Sequence, residues 1–182
     1  MKKSPKRTEM TKKNIAQSFC ILYSKMPLNK ISVKSVIEYA GYNRSTFYEY
    51  FEDIYDLLSY VEDDVISYLK DNINNEEMHI SVLVGLFNDK KIYLNALMGE
   101  YGNNHFNKRL IYEFSSYIYE KNSNISEKFQ PYFNEIYITS TLSAIKLWMN
   151  NQDIPSEELF NLISDFQSNL QALFIKKSAE NE

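Results

Sequence analysis

Apolar residues in this chain recur at every third or fourth position, and short polar stretches interrupt the recurrence. That spacing belongs to helices whose one face is buried, so the pattern predicts an all-α protein. Ile15, Phe19, Leu22 and Tyr23 give an inner face to a first helix over 11–26. Val33, Val36, Ile37 and Ala40 line one face of a short second helix. Gly41 follows, where a residue with positive φ ends a helix at least cost. Asn43 can cap a third helix that starts at Arg44. In that helix Phe47, Tyr50 and Phe51 fall on one face, leaving Arg44, Ser45, Tyr48 and Glu49 on the other. Two short helices joined by a glycine turn, with small polar and basic groups outward, form a helix-turn-helix.

The same period continues. A fourth helix is expected over about 53–71, with Ile54, Leu57, Leu58, Val61, Val65 and Leu69 inward, ended by Asn72, Asn74 and Asn75. Shorter helices are expected near 77–88 and 91–100, and another over 105–121 with Phe106, Leu110, Phe114, Tyr117 and Ile118 on one side. After a polar break come two longer helices over 131–150 and 156–177. The first carries Phe133, Ile136, Tyr137, Leu142, Ile145 and Trp148, the second Leu159, Leu162, Ile163, Phe166, Leu170, Leu173 and Phe174. The series 159, 163, 166, 170, 173 is close to a heptad stripe, which packs either inside one molecule or against a second copy. Pro27 follows the first helix, and Pro131 and Pro155 stand where new helices begin, so proline interrupts none of them.

Charge divides the chain. Residues 1–51 hold ten Lys and Arg against three Asp and Glu, a net +7, while the remainder holds ten against 21, a net −11. The overall −4 therefore conceals a basic head on an acidic body. A basic head attracts phosphate and releases its counterions, and an acidic body discourages wrapping by nucleic acid. The division suggests a DNA-binding region over 1–52 and a second region over 53–182.

Other chemistry is sparse. No run approaches the roughly 18 apolar residues of a membrane helix, and the basic, polar first residues lack the apolar core of a secretory leader. The single cysteine, Cys20, excludes an internal disulfide and sits beside an apolar helix face, as a small buried side chain does. There is no GxSxG, HExxH, glycine-rich phosphate loop or CxxC. His79 and His105 are 26 positions apart and form no local ligand pair. Asp63–Asp64 and Glu76–Glu77 are adjacent, so they point in different directions on a helix. The reading is a protein that is not an enzyme, with no catalytic residues, metal or cofactor, most simply cytoplasmic.

The head resembles the TetR family of bacterial regulators. The residues that carry the resemblance are Ala40-Gly41-Tyr42-Asn43-Arg44-Ser45-Thr46-Phe47-Tyr48-Glu49-Tyr50-Phe51. The family has a helix ending Ala-Gly, a short turn, and a recognition helix with Thr-aromatic-Tyr and then Phe. The match covers about residues 8–60 and is similar to the group containing the dihydroxyacetone kinase regulator. By position it implies that Lys34 contacts the DNA backbone or a base edge. Arg44 and Ser45 would then face the major groove, and Thr46 and Tyr48 would contact phosphate or base edges. One departure stands out. The family often has Lys at the start of the fourth helix, where this chain has Ile54 after Glu52 and Asp53.

The resemblance further implies a homodimer that binds double-stranded operator DNA, joined by its last two helices. Tyr137, Ile145, Leu159, Ile163, Phe166 and Leu170 are the interface candidates. It also implies a body cavity for an unidentified small-molecule effector, with Tyr93, Met98, Tyr101, Tyr112 and Trp148 as candidates. Ten of the 15 tyrosines lie beyond residue 52, and they suit either an ordinary aromatic core or an amphipathic pocket. His105 is either a polar anchor there or an exposed helix-start residue. Few inward cations would suit a neutral or weakly polar effector. The implied function is a repressor released by that effector. The alternative, motivated by Ile54, Glu49, Glu52 and Asp53, is an interaction protein that binds a partner regulator in place of DNA.

Overall fold

The helical period is realised throughout. In the computed structural model, which describes residues 5–72, 80–102 and 104–180, the described residues form eight α-helices, one 3-10 turn and no strand. The helices are α1 (Pro5–Tyr23), α2 (Val33–Ala40), α3 (Arg44–Tyr48), α4 (Ile54–Asn72), α5 (Ile80–Met98), α6 (Asn104–Lys121), α7 (Gln130–Asn151) and α8 (Ser156–Ala179), with the 3-10 turn at Leu28–Lys30. Asn74, Asn75, Glu76, Glu77, His79, Lys2 and Lys3 lie outside the described residues. The chain divides into two compact units, Met1–Asn103 and Asn104–Glu182. The helix-turn-helix therefore shares a unit with α4 and α5.

In the first unit α1 packs on α2, α4 and α5, α2 on α3, and α4 on α5. Ile15, Ala16, Phe19, Val36, Phe47, Leu57, Val61 and Val65 are fully buried there. Truncating one of the larger of these, Ile15, Phe19, Phe47 or Leu57, to Ala costs about 2–5 kcal/mol, because the transfer term is joined by a cavity. α1 begins earlier than its apolar face suggested, since Pro5 opens it and proline suits a first helical position. It ends at Tyr23 before Pro27, which disfavours helical backbone in the residue ahead of it. α3 stops at Tyr48, which leaves Tyr50 outside the helix and half-buried.

The expected helices near 77–88 and 91–100 are one helix, α5, with non-helical backbone at Lys90 between them. Gly85 allows a close approach one turn before: a Cβ there would lie 2.5 Å from the Tyr68 hydroxyl oxygen.

In the second unit α7 packs on α6 and α8. Phe133 and Phe174 meet edge to face at 5.5 Å, and Phe129 reaches Phe174 at 6.3 Å, so rings hold the two helices together. The Ser126 backbone N–H donates to the Ser178 hydroxyl at 2.9 Å, across 52 positions. On α8 the apolar positions occupy more of the circumference than one unit covers. Leu159, Phe160, Ile163 and Leu170 are buried, whereas Leu162, Phe166 and Leu173 are 57%, 46% and 52% exposed.

Burial makes one quantity testable. Cys20 is fully buried, and burial pushes its thiol well above its ordinary range, with the Asp64 charge adding to this. The thiolate is the reactive form, so the native protein should resist alkylation and label only as it unfolds. Labelling at neutral pH followed against denaturant should trace the unfolding curve. Rapid labelling of the native protein would contradict the burial of α1.

Candidate nucleic-acid interface

The two-helix element is set by its caps. Ser32 begins α2: its hydroxyl accepts from the Ser35 N–H at 3.1 Å, and its own N–H donates to the Ser35 hydroxyl at 3.0 Å. This reciprocal box satisfies donors that a helix start otherwise leaves open. Gly41 closes α2 in the left-handed region, φ 71°, and the N–H groups of Gly41 and Tyr42 both reach the Ile37 carbonyl. The turn is tied back to α1 by Asn14, whose amide donates to the Tyr42 hydroxyl at 3.2 Å.

Asn43 does more than cap. Its side-chain oxygen accepts from the Thr46 N–H at 2.9 Å, the Ser45 hydroxyl at 2.7 Å and the Thr46 hydroxyl at 3.0 Å. Ser45 and Thr46 thus spend their protons on the cap. To donate to a phosphate, either hydroxyl must turn away from Asn43; to accept from a base amino group it need not.

α3 has a buried side and an open side. Phe47 is fully buried, with its ring 5.6 Å from Phe51, which in turn meets Tyr60 of α4 at 5.4 Å. Tyr48 stands 57% exposed with its ring edge-on to Phe47 at 5.5 Å, so a buried neighbour holds an exposed aromatic. Arg44 and Ser45 are exposed and Thr46 half-exposed. Lys34 is exposed on the first turn of α2, 3.8 Å from Glu38. An exposed pair of this kind contributes about 0.3–0.5 kcal/mol, so Lys34 is easily drawn to a phosphate. All five proposed DNA residues therefore lie on α2 and α3. Tyr39 and Tyr55, which the apolar pattern did not single out, are also exposed on this unit. Their only signal is that each falls off its helix's apolar face.

The acids at the start of α4 have structural duties. The Asp53 carboxylate accepts from the Tyr55 and Asp56 N–H groups at 2.8 and 2.9 Å, and Asp56 accepts from the Glu52 N–H at 2.9 Å. Negative charge there also suits the helix dipole. Ile54 is buried, so the position where the TetR pattern often has lysine contributes packing in this chain.

The remaining candidates are dispersed. Tyr93 and Met98 are buried and Tyr101 half-buried, all in the first unit. Burial, with Cys20, Asp64 and Tyr60 nearby, pushes the Tyr93 hydroxyl far above its ordinary range. In the second unit Tyr112 is 82% exposed, and Trp148 donates its indole N–H to the Ile154 carbonyl at 2.8 Å. His105 is exposed near the start of α6. Of the interface candidates, Ile145, Leu159, Ile163 and Leu170 are covered within their own unit, Tyr137 partly, and Phe166 remains open. Burial and neighbouring Tyr117 push the Tyr137 hydroxyl up to about 12.

A head of this construction on a helical body is the TetR-type regulator fold. The chain is similar to a TetR transcriptional regulator from Streptococcus agalactiae, with TM-score 0.64, 22% identity, and coverage of 89% of this chain and 96% of that one. It is similar also to the dihydroxyacetone kinase operon activator DhaS, with TM-score 0.59, 18% identity and coverage of 90% and 97%. A TetR-family regulator from Streptomyces coelicolor matches with TM-score 0.62, 18% identity and coverage of 89% and 83%. No family model and no curated protein matches the sequence.

Lys34 and Arg44 should fail differently if they touch DNA as their positions suggest. Lys34→Ala should weaken binding to all duplexes alike and reduce the salt slope by about 1. Arg44→Ala should cost about 1–3 kcal/mol and relax preference at one base pair per half-site. Binding of each variant to a selected duplex and to scrambled DNA, across a salt series, separates the two outcomes. Equal losses on both DNAs for Arg44→Ala would remove it from base reading.

Proposed function

We propose that this chain is a homodimeric DNA-binding transcriptional regulator of the bacterial cytoplasm, a repressor released by a small-molecule effector. The observation that carries the reading is the open face of α2 and α3. Lys34, Arg44, Ser45 and Tyr48 are exposed there on a capped, core-anchored helix pair in the basic part of the chain. An exposed cation set on a short second helix is what a major groove accepts. The functional division is a DNA-reading region over 1–52 and an effector and dimer region over 53–182. The partner-protein alternative has lost part of its motive, because Asp53 and Asp56 cap α4 and Ile54 packs.

Dimerisation is supported by α8. Leu162, Phe166 and Leu173 lie at offsets of four and seven residues, which places them on one helical face, and all are exposed. A groove of about 290 Å³ runs beside them, lined by Ser140, Thr141 and Ala144 of α7 with Leu159, Leu162, Ile163 and Phe166 of α8. An apolar ridge beside a groove floored by small residues is self-complementary, as a two-fold interface requires. A two-fold protein in turn reads two half-sites about one helical turn apart. Effector binding shifts α4 and so the spacing of the two heads; the candidates are Tyr93, Met98 and Tyr101 in the first unit and, separately, Tyr112 and Trp148 in the second. Whatever free energy couples effector to DNA acts equally in both directions.

Duplexes enriched from a random pool, together with the DNA upstream of the gene, supply the test. The wild-type chain should bind as a dimer at micromolar concentration. Phe166→Glu should give a monomer by light scattering and lose preference for the enriched duplex, keeping only weak, salt-sensitive binding. A wild-type chain that is monomeric, or that binds no duplex at low salt, would overturn the reading.

A further inference from the structure

α5 is not straight. Its backbone leaves helical geometry at Lys90, φ −120° and ψ 15°, where the sequence has neither proline nor glycine. The Lys90 side chain at this bend is closely engaged by its neighbours. Its ammonium pairs with the Asp64 carboxylate of α4, and the two side chains are only 18% and 22% exposed. The same ammonium lies 5.8 Å from the ring centroids of Tyr68 on α4 and Tyr93 on α5. Asp64 and Tyr68 are one turn apart on α4 and so share a face. Tyr68 lies close to α5 because Gly85 has no side chain to block its hydroxyl end. Burial and the nearby carboxylate of Asp89, the residue before the bend, push the Tyr68 hydroxyl above its ordinary range.

α1 closes the third side. α5 packs on α1, where Cys20 is fully buried. Lys13 and Gln17 of α1 border a recess of about 220 Å³ with residues 88–93. α5 also packs broadly on both α1 and α4.

A largely buried ammonium with a carboxylate and two ring faces has one favourable seat, and removing one partner strands the other charge. We propose that Lys90 is a positioning residue. Clasped by Asp64, Tyr68 and Tyr93, it fixes the bend of α5 against α1 and α4, and through α1 it sets the seat of the helix-turn-helix. α5 then bears on the helix-turn-helix through α1, and an event that straightens α5 must first take Lys90 from Asp64. The consequence for DNA rests on the regulator reading; the structural part does not.

The test uses the full chain and four variants, Lys90→Met, Lys90→Arg, Asp64→Asn and the exchanged pair Asp64→Lys with Lys90→Asp. Amide hydrogen exchange is read in α5 at 88–93 and in α1 at 12–20, below the melting temperature of every variant. Binding to an enriched duplex is read in parallel. Lys90→Met and Asp64→Asn should each speed exchange in both segments about tenfold and weaken DNA binding about fivefold, within the usual range of coupling between sites. Lys90→Arg should restore both. Unchanged exchange at 88–93 overturns the clasp. Faster exchange at 88–93 with α1 unchanged overturns the coupling and leaves only local packing. If the wild-type chain binds no duplex, the regulator reading falls, and exchange at 88–93 and in α1 decides the proposal. If Lys90→Met does not fold, Asp64→Asn and the exchanged pair carry the same comparison.

Discussion

A helix of five residues has no stability of its own in water, because nucleation costs more than one turn returns. α3 is such a helix, and the proposed DNA-reading face depends on it. It persists because Phe47 is driven into the core of its unit while Asn43 satisfies its first donors. Phe47 sets the depth of α3 and Asn43 its start. The ring series Phe47, Phe51, Tyr60 then fixes α3 relative to α4. The orientation of Arg44 and Tyr48 is therefore a property of the core, with Gly41 supplying the one left-handed residue that the turn needs among the described non-proline positions of this element.

Electrostatics follows from this arrangement. Basic residues sit on the outer parts of the first unit, with Lys6, Arg7, Lys13, Lys25, Lys30, Lys34 and Arg44 all exposed. Three acids near the helix pair are engaged: Glu38 lies beside Lys34, and Asp53 and Asp56 accept backbone N–H groups, while Glu49 and Glu52 stay exposed. A carboxylate that caps a helix repels phosphate less than its formal charge suggests, since its charge is already shared with fixed donors. Lys90 shows the inward counterpart, a cation held between rings and a carboxylate, where its charge organises helices and takes no part in the external field.

Most of the fold was legible because helices announce themselves through a period that local backbone geometry imposes. The Gly41 turn and the Asn43 cap could be read for the same reason: each depends on residues within a few positions. What could not be read depends on distant residues. The interval between two expected helices near residue 90 is a bend within one helix, where Asp64 and Tyr68 of another meet Lys90. The α8 stripe is continuous, but its edge at Leu162, Phe166 and Leu173 stays exposed beside the buried Leu159, Ile163 and Leu170, because a periodic pattern does not disclose how far around the helix its own unit reaches. Ile54 reads both as an inward residue of α4 and as a missing phosphate contact, and its burial agrees with the first. Among the proposed site residues, those on α2 and α3 cohere. The aromatic candidates from the two units were chosen by residue type, and residue type carries no information on which tyrosines share a cavity: Tyr93 is buried and Tyr112 is 82% exposed.

The central claim is that two copies of this chain present α3 to successive major grooves. Hydroxyl-radical footprinting on a duplex enriched by the wild-type chain tests it most directly. The account predicts two protected patches on one face of the duplex, about 10 base pairs apart centre to centre, with protection lost together as salt rises. A single patch, or uniform protection without half-sites, would contradict it.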